Sequence, residues 1–276
     1  AQAALSPIEP SRIEQSQYIM LGIDRMHQEG FRGDGLLVAI FDSGFRNYTN
    51  LPAFSHLIDR EGIIQTFDYT KNSVSVENNF DHGLRVLSVL GADAEMIGAV
   101  PQANYILAIT ENEVSEYRIE EYNWLFAAEM ADSAGVDVIN TSLGYSVFDD
   151  ESMSYTQDQM DGETTVISRA ASIAASKGIV LVASAGNEGN NAWGTITAPA
   201  DSEHLLAVGA VNNLADLANF SSTGPSADGR IKPDVVAQGV NTQLTNSQGT
   251  VTFQNGTSFS APLVAGLAAG LMEAFP

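Results

Sequence analysis

Cysteine is absent from this sequence, and with it disulfides, thiol chemistry and cysteine-based zinc sites. Basic residues are scarce. Twelve Lys and Arg stand against 34 Asp and Glu in 276 residues, a formal charge of −22. A nucleic-acid binder presents a basic face, and a protein docked on anionic lipid a basic cluster, so the balance argues against both. No apolar run approaches the roughly 18 residues of a membrane span. The opening Ala1-Gln-Ala-Ala-Leu5 lacks a basic stretch followed by an apolar one, so either the chain is cytosolic or a signal has been removed. What is present is a core. Apolar residues make up 44% and charged residues only 17%, enough to build one large folded domain.

The apolar residues fall into a repeating order. Residues 36–41 form a continuous apolar run stopped by Asp42-Ser-Gly44, the pattern of a strand buried on both faces. Trp124, Ala127, Ala128 and Ala131 make a helical stripe that ends at Gly135, and residues 136–143 follow as a strand. Ile167, Ala170, Ala171 and Ala174 repeat the stripe before Gly178, with the next strand at 179–183. Further strands are expected at 104–109 and 205–211. Helix, glycine stop and apolar strand, twice over, predict an α/β domain with a mainly parallel sheet.

Ligands of such sheets bind beyond the carboxyl ends of the strands, so the polar residues there come first. Asp42 ends the first strand, Ser142 and Gly144 another, and Gly186-Asn187-Glu188 a third. A fourth place is Asn255-Gly-Thr-Ser258-Phe-Ser-Ala-Pro262, ahead of a helical pattern over 263–275. With Pro262 in the first turn of that helix, Ser258 is expected at or just before its N-terminus, where backbone N–H groups face a developing oxyanion. A serine nucleophile needs a base. Of the four histidines only His82 has a motif-like setting, Asp81-His-Gly-Leu-Arg-Val86, opening a helix that runs to about Gly91, with Gly83 admitting close approach of another backbone. The base needs a buried carboxylate, and Asp42 is placed to supply one. Taken singly each has a plain reading: Asp42 and Asn187 as turn residues, His82 as a helix-start residue, Ser258 as an N-cap, Ser142–Gly144 as a strand exit.

Together with Asn140-Thr-Ser-Leu-Gly144, Ala183-Ser-Ala-Gly-Asn187-Glu-Gly189, Val208-Gly-Ala-Val211, Phe220-Ser-Ser-Thr-Gly224, Lys232-Pro-Asp-Val-Val236 and Gly256-Thr-Ser258-Phe-Ser-Ala-Pro262, these residues give a sequence that resembles the subtilisin-family serine proteases from about Gly30 to its end. The chain order Asp, His, Ser is subtilisin's own. The resemblance implies a three-layer α/β fold and one peptidase domain over residues 1–276. It casts Ser258 as nucleophile, His82 as general base and acid, and Asp42 as its orienting carboxylate. It makes the Asn187 side chain and the Ser258 N–H the oxyanion donors. Ser142, Leu143 and Gly144 would pair with extended substrate and, with Ala185 and Gly186, wall the pocket for the residue before the cut. Glu188 would stand at that pocket's mouth; cleavage is expected after large apolar residues, with Lys and Arg tolerated because of Glu188 and its acidic neighbours.

The resemblance also implies a polypeptide substrate, a monomer without nucleic-acid partner or membrane insertion, and a secreted or periplasmic protein whose signal and propeptide have been removed. It requires no cofactor. It leaves room for a structural calcium ion, for which Asp93 and Glu95 in residues 91–98 are too few carboxylates to define a site. Three features depart from the pattern. Leu84 stands where relatives carry Thr, Phe259 where some carry an oxidisable Met, and the chain stops 18 residues beyond Ser258, where relatives continue. Leu84 and that early stop motivate the alternative of a catalytically inactive, peptide-binding relative. The acidity is concentrated: residues 111–121 carry −4 and residues 149–163 carry −6. By resemblance both segments flank the substrate edge, either as a solvated surface suited to saline media or as a rim that draws basic peptides.

Overall fold

The computed structural model describes residues 16–276. The N-terminal segment Ala1–Leu5, read above for a signal, lies outside them. In chain order the elements are α1 (Ser16–Ile19), α2 (Ile23–Gln28), β1 (Leu37–Asp42), α3 (Ser55–Asp59), β2 (Ile63–Asp68), α4 (His82–Gly91), β3 (Asn104–Ile109), α5 (Ile119–Ala134), β4 (Val138–Thr141), α6 (Val166–Ser176), β5 (Val180–Ser184), β6 (Leu206–Val211), β7 (Val235–Gln238), the hairpin strands β8 (Thr242–Thr245) and β9 (Val251–Gln254), and α7 (Thr257–Ala274). Strands one to seven form a single sheet in the order β2-β3-β1-β4-β5-β6-β7, with every pairing parallel.

The continuous apolar runs become strands covered on both faces. Along β1, Val38 and Ile40 enter one core cluster while Ala39 and Phe41 enter the other. The first cluster receives Leu84, Leu87 and Leu90 from α4 and Leu263, Ala265 and Ala269 from α7. The second receives the two predicted stripes, Trp124 to Ala131 of α5 and Ile167 to Ala174 of α6. Helices on both faces of a parallel sheet make three layers, as expected. Gly135 caps α5 with φ at 77°, a left-handed turn that glycine takes without strain.

One helix differs from its expected register. α7 begins at Thr257 rather than Leu263, so Pro262 lies inside it and Ser258 is its second residue. The entry is made at Gly256, whose φ of 153° suits glycine. A proline inside a helix has no N–H for the carbonyl four residues back. That carbonyl belongs to Ser258, and it accepts instead from Ser142 Oγ at 2.8 Å. A local defect in α7 thereby ties it to the end of β4.

Candidate active site

The strand order reverses about β1, placing the carboxyl ends of β1, β4 and β5 around one crevice. Asp42, the last residue of β1, is 1% exposed. Its Oδ1 accepts from His82 Nδ1 at 2.7 Å and from the Ser43 N–H at 2.8 Å. His82 opens α4, and the glycine after it is a steric necessity. A Cβ at Gly83 would stand 2.8 Å from Gly44 O and 2.9 Å from Asp42 Cβ. Leu84, the departure from the family pattern, is fully buried, and its N–H donates to Gly44 O at 3.1 Å. Its backbone ties α4 to the Asp42 loop, while its side chain enters the core cluster on that face of the sheet.

Ser258 reaches the same crevice from the first turn of α7. Its Oγ donates to the Ser142 carbonyl at 3.2 Å rather than to His82. The ring of the next residue, Phe259, lies 5.5 Å from that of His82. Burial alone would push the His82 imidazole down. The Asp42 carboxylate more than offsets this, Glu113 adds to the rise and Arg85 opposes it, so His82 is held above its ordinary 6.5.

Asn187 follows β5 and is fixed by its acceptor end. The Thr257 N–H and Oγ1 donate to Asn187 Oδ1 at 2.9 and 3.0 Å, so the end of the amide held by the residue before Ser258 is its oxygen. As the second residue of α7, Ser258 has an N–H with no intrahelical acceptor. Ser142 and Leu143 are buried while Gly144 is exposed. The segment is held by Ser184 Oγ donating to Leu143 O at 3.2 Å and by Tyr145 paired with Ala198.

Sequence reasoning missed Thr197. It is buried, its Oγ1 has no partner, and it lies against both predicted pocket glycines: a Cβ would meet it at 2.2 Å on Gly144 and at 3.0 Å on Gly186. Nothing in the local sequence marks it, because the contact joins three separate loops. Ala185 is buried and its carbonyl accepts from the Thr197 N–H at 3.3 Å. Glu188 is half-buried and accepts from Asn191 Nδ2. With Glu116, Gly144, Ser146, Val147 and Trp193 it borders an open recess of about 600 Å³.

The two acidic segments meet here, but not as a uniformly charged rim. Glu120 and Glu121 are buried. Glu121 is satisfied by the Tyr155 hydroxyl at 2.6 Å and the Ile167 N–H at 3.0 Å. Burial, with repulsion from Asp149, pushes Glu116 up to about 7; burial, with repulsion from Glu116, pushes Glu120 to about 8 and, with repulsion from Glu116, Asp42 and Glu120, holds Glu111 well above the carboxylate range. Residues 91–98 do not fit a carboxylate-based calcium site. They form a tight turn closed by an Asp93–Ile97 bridge, and among the described residues no group of three or more acids or histidines is placed to hold a metal. None of the helices among the described residues is long and apolar enough to cross a membrane.

The sequence profile of the Subtilase family (peptidase S8) matches residues 33–276. Subtilisin E of Bacillus subtilis (strain 168) is 30% identical over 273 residues, covering 95% of this chain and 63% of that protein. The subtilisin of Bacillus pumilus is 31% identical over 256 residues, covering 91% of this chain and 82% of that one. The chain thus spans less than two thirds of Subtilisin E. Among solved structures, the Clostridium perfringens CspB protease superposes with a TM-score of 0.78 at 16% identity, covering 94% of this chain and 88% of that one, a likeness of fold.

Proposed function

The chain belongs to the subtilase family of serine peptidases, and from that we propose that it hydrolyses peptide bonds in extended polypeptides through Asp42, His82 and Ser258. The observation that carries this reading is the Asp42 Oδ1 to His82 Nδ1 bond of 2.7 Å, at a buried strand end facing the first turn of the helix that bears Ser258. Ser258 Oγ leaves the Ser142 carbonyl, gives its proton to His82 and attacks the scissile carbonyl. The Asn187 amide and the Ser258 N–H receive the oxyanion. His82 passes the proton to the leaving amine, and water, activated by the same base, cleaves the acyl-enzyme. Acylation and deacylation each start from neutral His82, so its raised pKa sets activity to fall as pH drops through a value above 6.5.

In this reading the exposed Gly144 edge takes the substrate as an added strand. Ser142, Leu143, Ala185 and Gly186 wall the pocket for the residue before the cut, with large apolar residues preferred and Lys and Arg admitted by Glu188. The proposed enzyme is a monomeric peptidase domain acting outside the cytoplasm, and its chemistry draws on no cofactor. The test is labelling by a sulfonyl fluoride together with hydrolysis of peptides that differ only in the residue before the cut. Ser258→Ala should abolish both. Labelling or turnover that survives it overturns the reading, unlabelled wild type favours the inactive peptide-binding relative, and failure to cut after Lys or Arg removes the role given to Glu188.

A further inference from the structure

Asp42 uses its two oxygens unequally. Oδ2 is buried without a partner, while Oδ1 faces three donors: His82 Nδ1 at 2.7 Å, the Ser43 N–H at 2.8 Å and Ser43 Oγ at 3.3 Å. The Ser43 hydroxyl has one proton and two acceptors to choose from. The second is Glu113 Oε1, which lies closer to Ser43 Oγ than Asp42 does. Glu113 is exposed, on the loop that follows β3, and β3 is the neighbour of β1 in the sheet. The loop therefore brings a second carboxylate onto the residue adjoining Asp42.

We propose that Glu113 is a positioning residue of the acid–base machinery, accepting the hydrogen bond of the Ser43 hydroxyl and so reserving Asp42 Oδ1 for His82. Were Glu113 uncharged, Ser43 Oγ would turn to Asp42 and compete with the imidazole for the same oxygen. The charge matters as well as the geometry. The imidazolium formed when Ser258 surrenders its proton is stabilised by every nearby negative group. The groups that face His82 are Asp42 and Glu113, both favouring the cation, and Arg85, which disfavours it; Glu111 stands beyond Asp42. Phe259 covers one side of the ring without charge. The inference rests on the triad reading above, since it describes what tunes that base.

The sign follows directly. Removing a negative charge beside His82 lowers its pKa, so the acid limb of kcat/KM moves to lower pH while the weaker base lowers kcat. For one partly solvated charge the expected shift is about half a pH unit. The experiment follows kcat/KM against pH on an uncharged peptide for wild type, Glu113→Gln, Glu113→Asp, Ser43→Ala and the double variant Ser43→Ala/Glu113→Gln. The His82 titration is followed in parallel by NMR in the Ser258→Ala protein. Glu113→Gln should move limb and titration down together, Glu113→Asp should fall between, and Glu113→Gln should shift less when Ser43 is already Ala. A limb that stays in place, or a full shift without Ser43, overturns the proposal. Sulfonyl fluoride labelling separates the two levels. Labelled enzyme with an unmoved limb sinks Glu113 alone, whereas unlabelled wild type sinks the triad reading beneath it.

Discussion

At the scale of single residues, orientation decides what a polar group can do. Asn187 has two ends, and both donors of Thr257 bind its oxygen. The amide is thereby aimed with its N–H group outward at no cost in later reorganisation, which gives an oxyanion donor its worth. In subtilisin itself, loss of one such donor costs about 10²–10³ in rate. Asn187→Ala is expected to lower kcat by a factor of that order, with little change in KM, because the charge it meets develops only in the transition state. Equal losses in kcat and binding would show Asn187 to be a substrate contact instead. The place of Asn187 after a strand is legible in the sequence. Its aim is not, because the partner that fixes it is 70 residues away. The same holds for Thr197, whose role arises only where loops from β4, β5 and the 194–200 segment converge.

At the scale of elements, the strands were the most legible part of the fold. A strand buried on both faces is apolar at every position, and the runs at 36–41, 104–109, 179–183 and 205–211 fall within a residue of β1, β3, β5 and β6. The start of α7 was less legible, because a proline in an apolar pattern is ordinarily read as the first turn. Tertiary contact overrides that preference: Ser142 Oγ supplies the donor that Pro262 lacks, and Asn187 receives the first free N–H of the helix. The defect thus connects the carbonyl of Ser258, the proposed nucleophile, to the segment proposed as the substrate edge. Pro262→Ala restores the missing N–H and lets the helix close its internal bond to Ser258 O. The expected result is a protein at least as resistant to thermal unfolding but several-fold poorer in kcat/KM, since Ser142 loses its hold on α7. Ser142→Ala should reproduce the loss of activity with no gain in stability. If Pro262→Ala unfolds more readily and cleaves as well as wild type, the proline serves packing alone.

At the scale of the whole molecule, the formal charge of −22 overstates what the surface carries. Glu116, with a pKa of about 7, and Glu120, at about 8, share one region with Glu111, and burial comes first among the causes of all three shifts. Near neutral pH this part of the rim is incompletely ionised, so a pull on basic peptides from these carboxylates would strengthen only as pH rises through 7 to 8. The linkage to stability has a definite sign. Between the ordinary carboxylate value of 4.5 and about 8, the folded protein holds protons on Glu120 that the unfolded chain has released. Stability from that source is complete below 4.5 and is lost as pH rises through about 8. Glu120→Gln keeps the neutral shape and cannot ionise. Its melting temperature should match wild type near pH 5 and exceed it by a few degrees near pH 9, a difference of the size that burial of a single carboxylate sets in a domain this large. Thermal scans of the two proteins across that range are the check. A constant offset would mean that Glu120 acts through packing, and a wild-type advantage that widens with pH would show its ionised form to be the one the fold prefers.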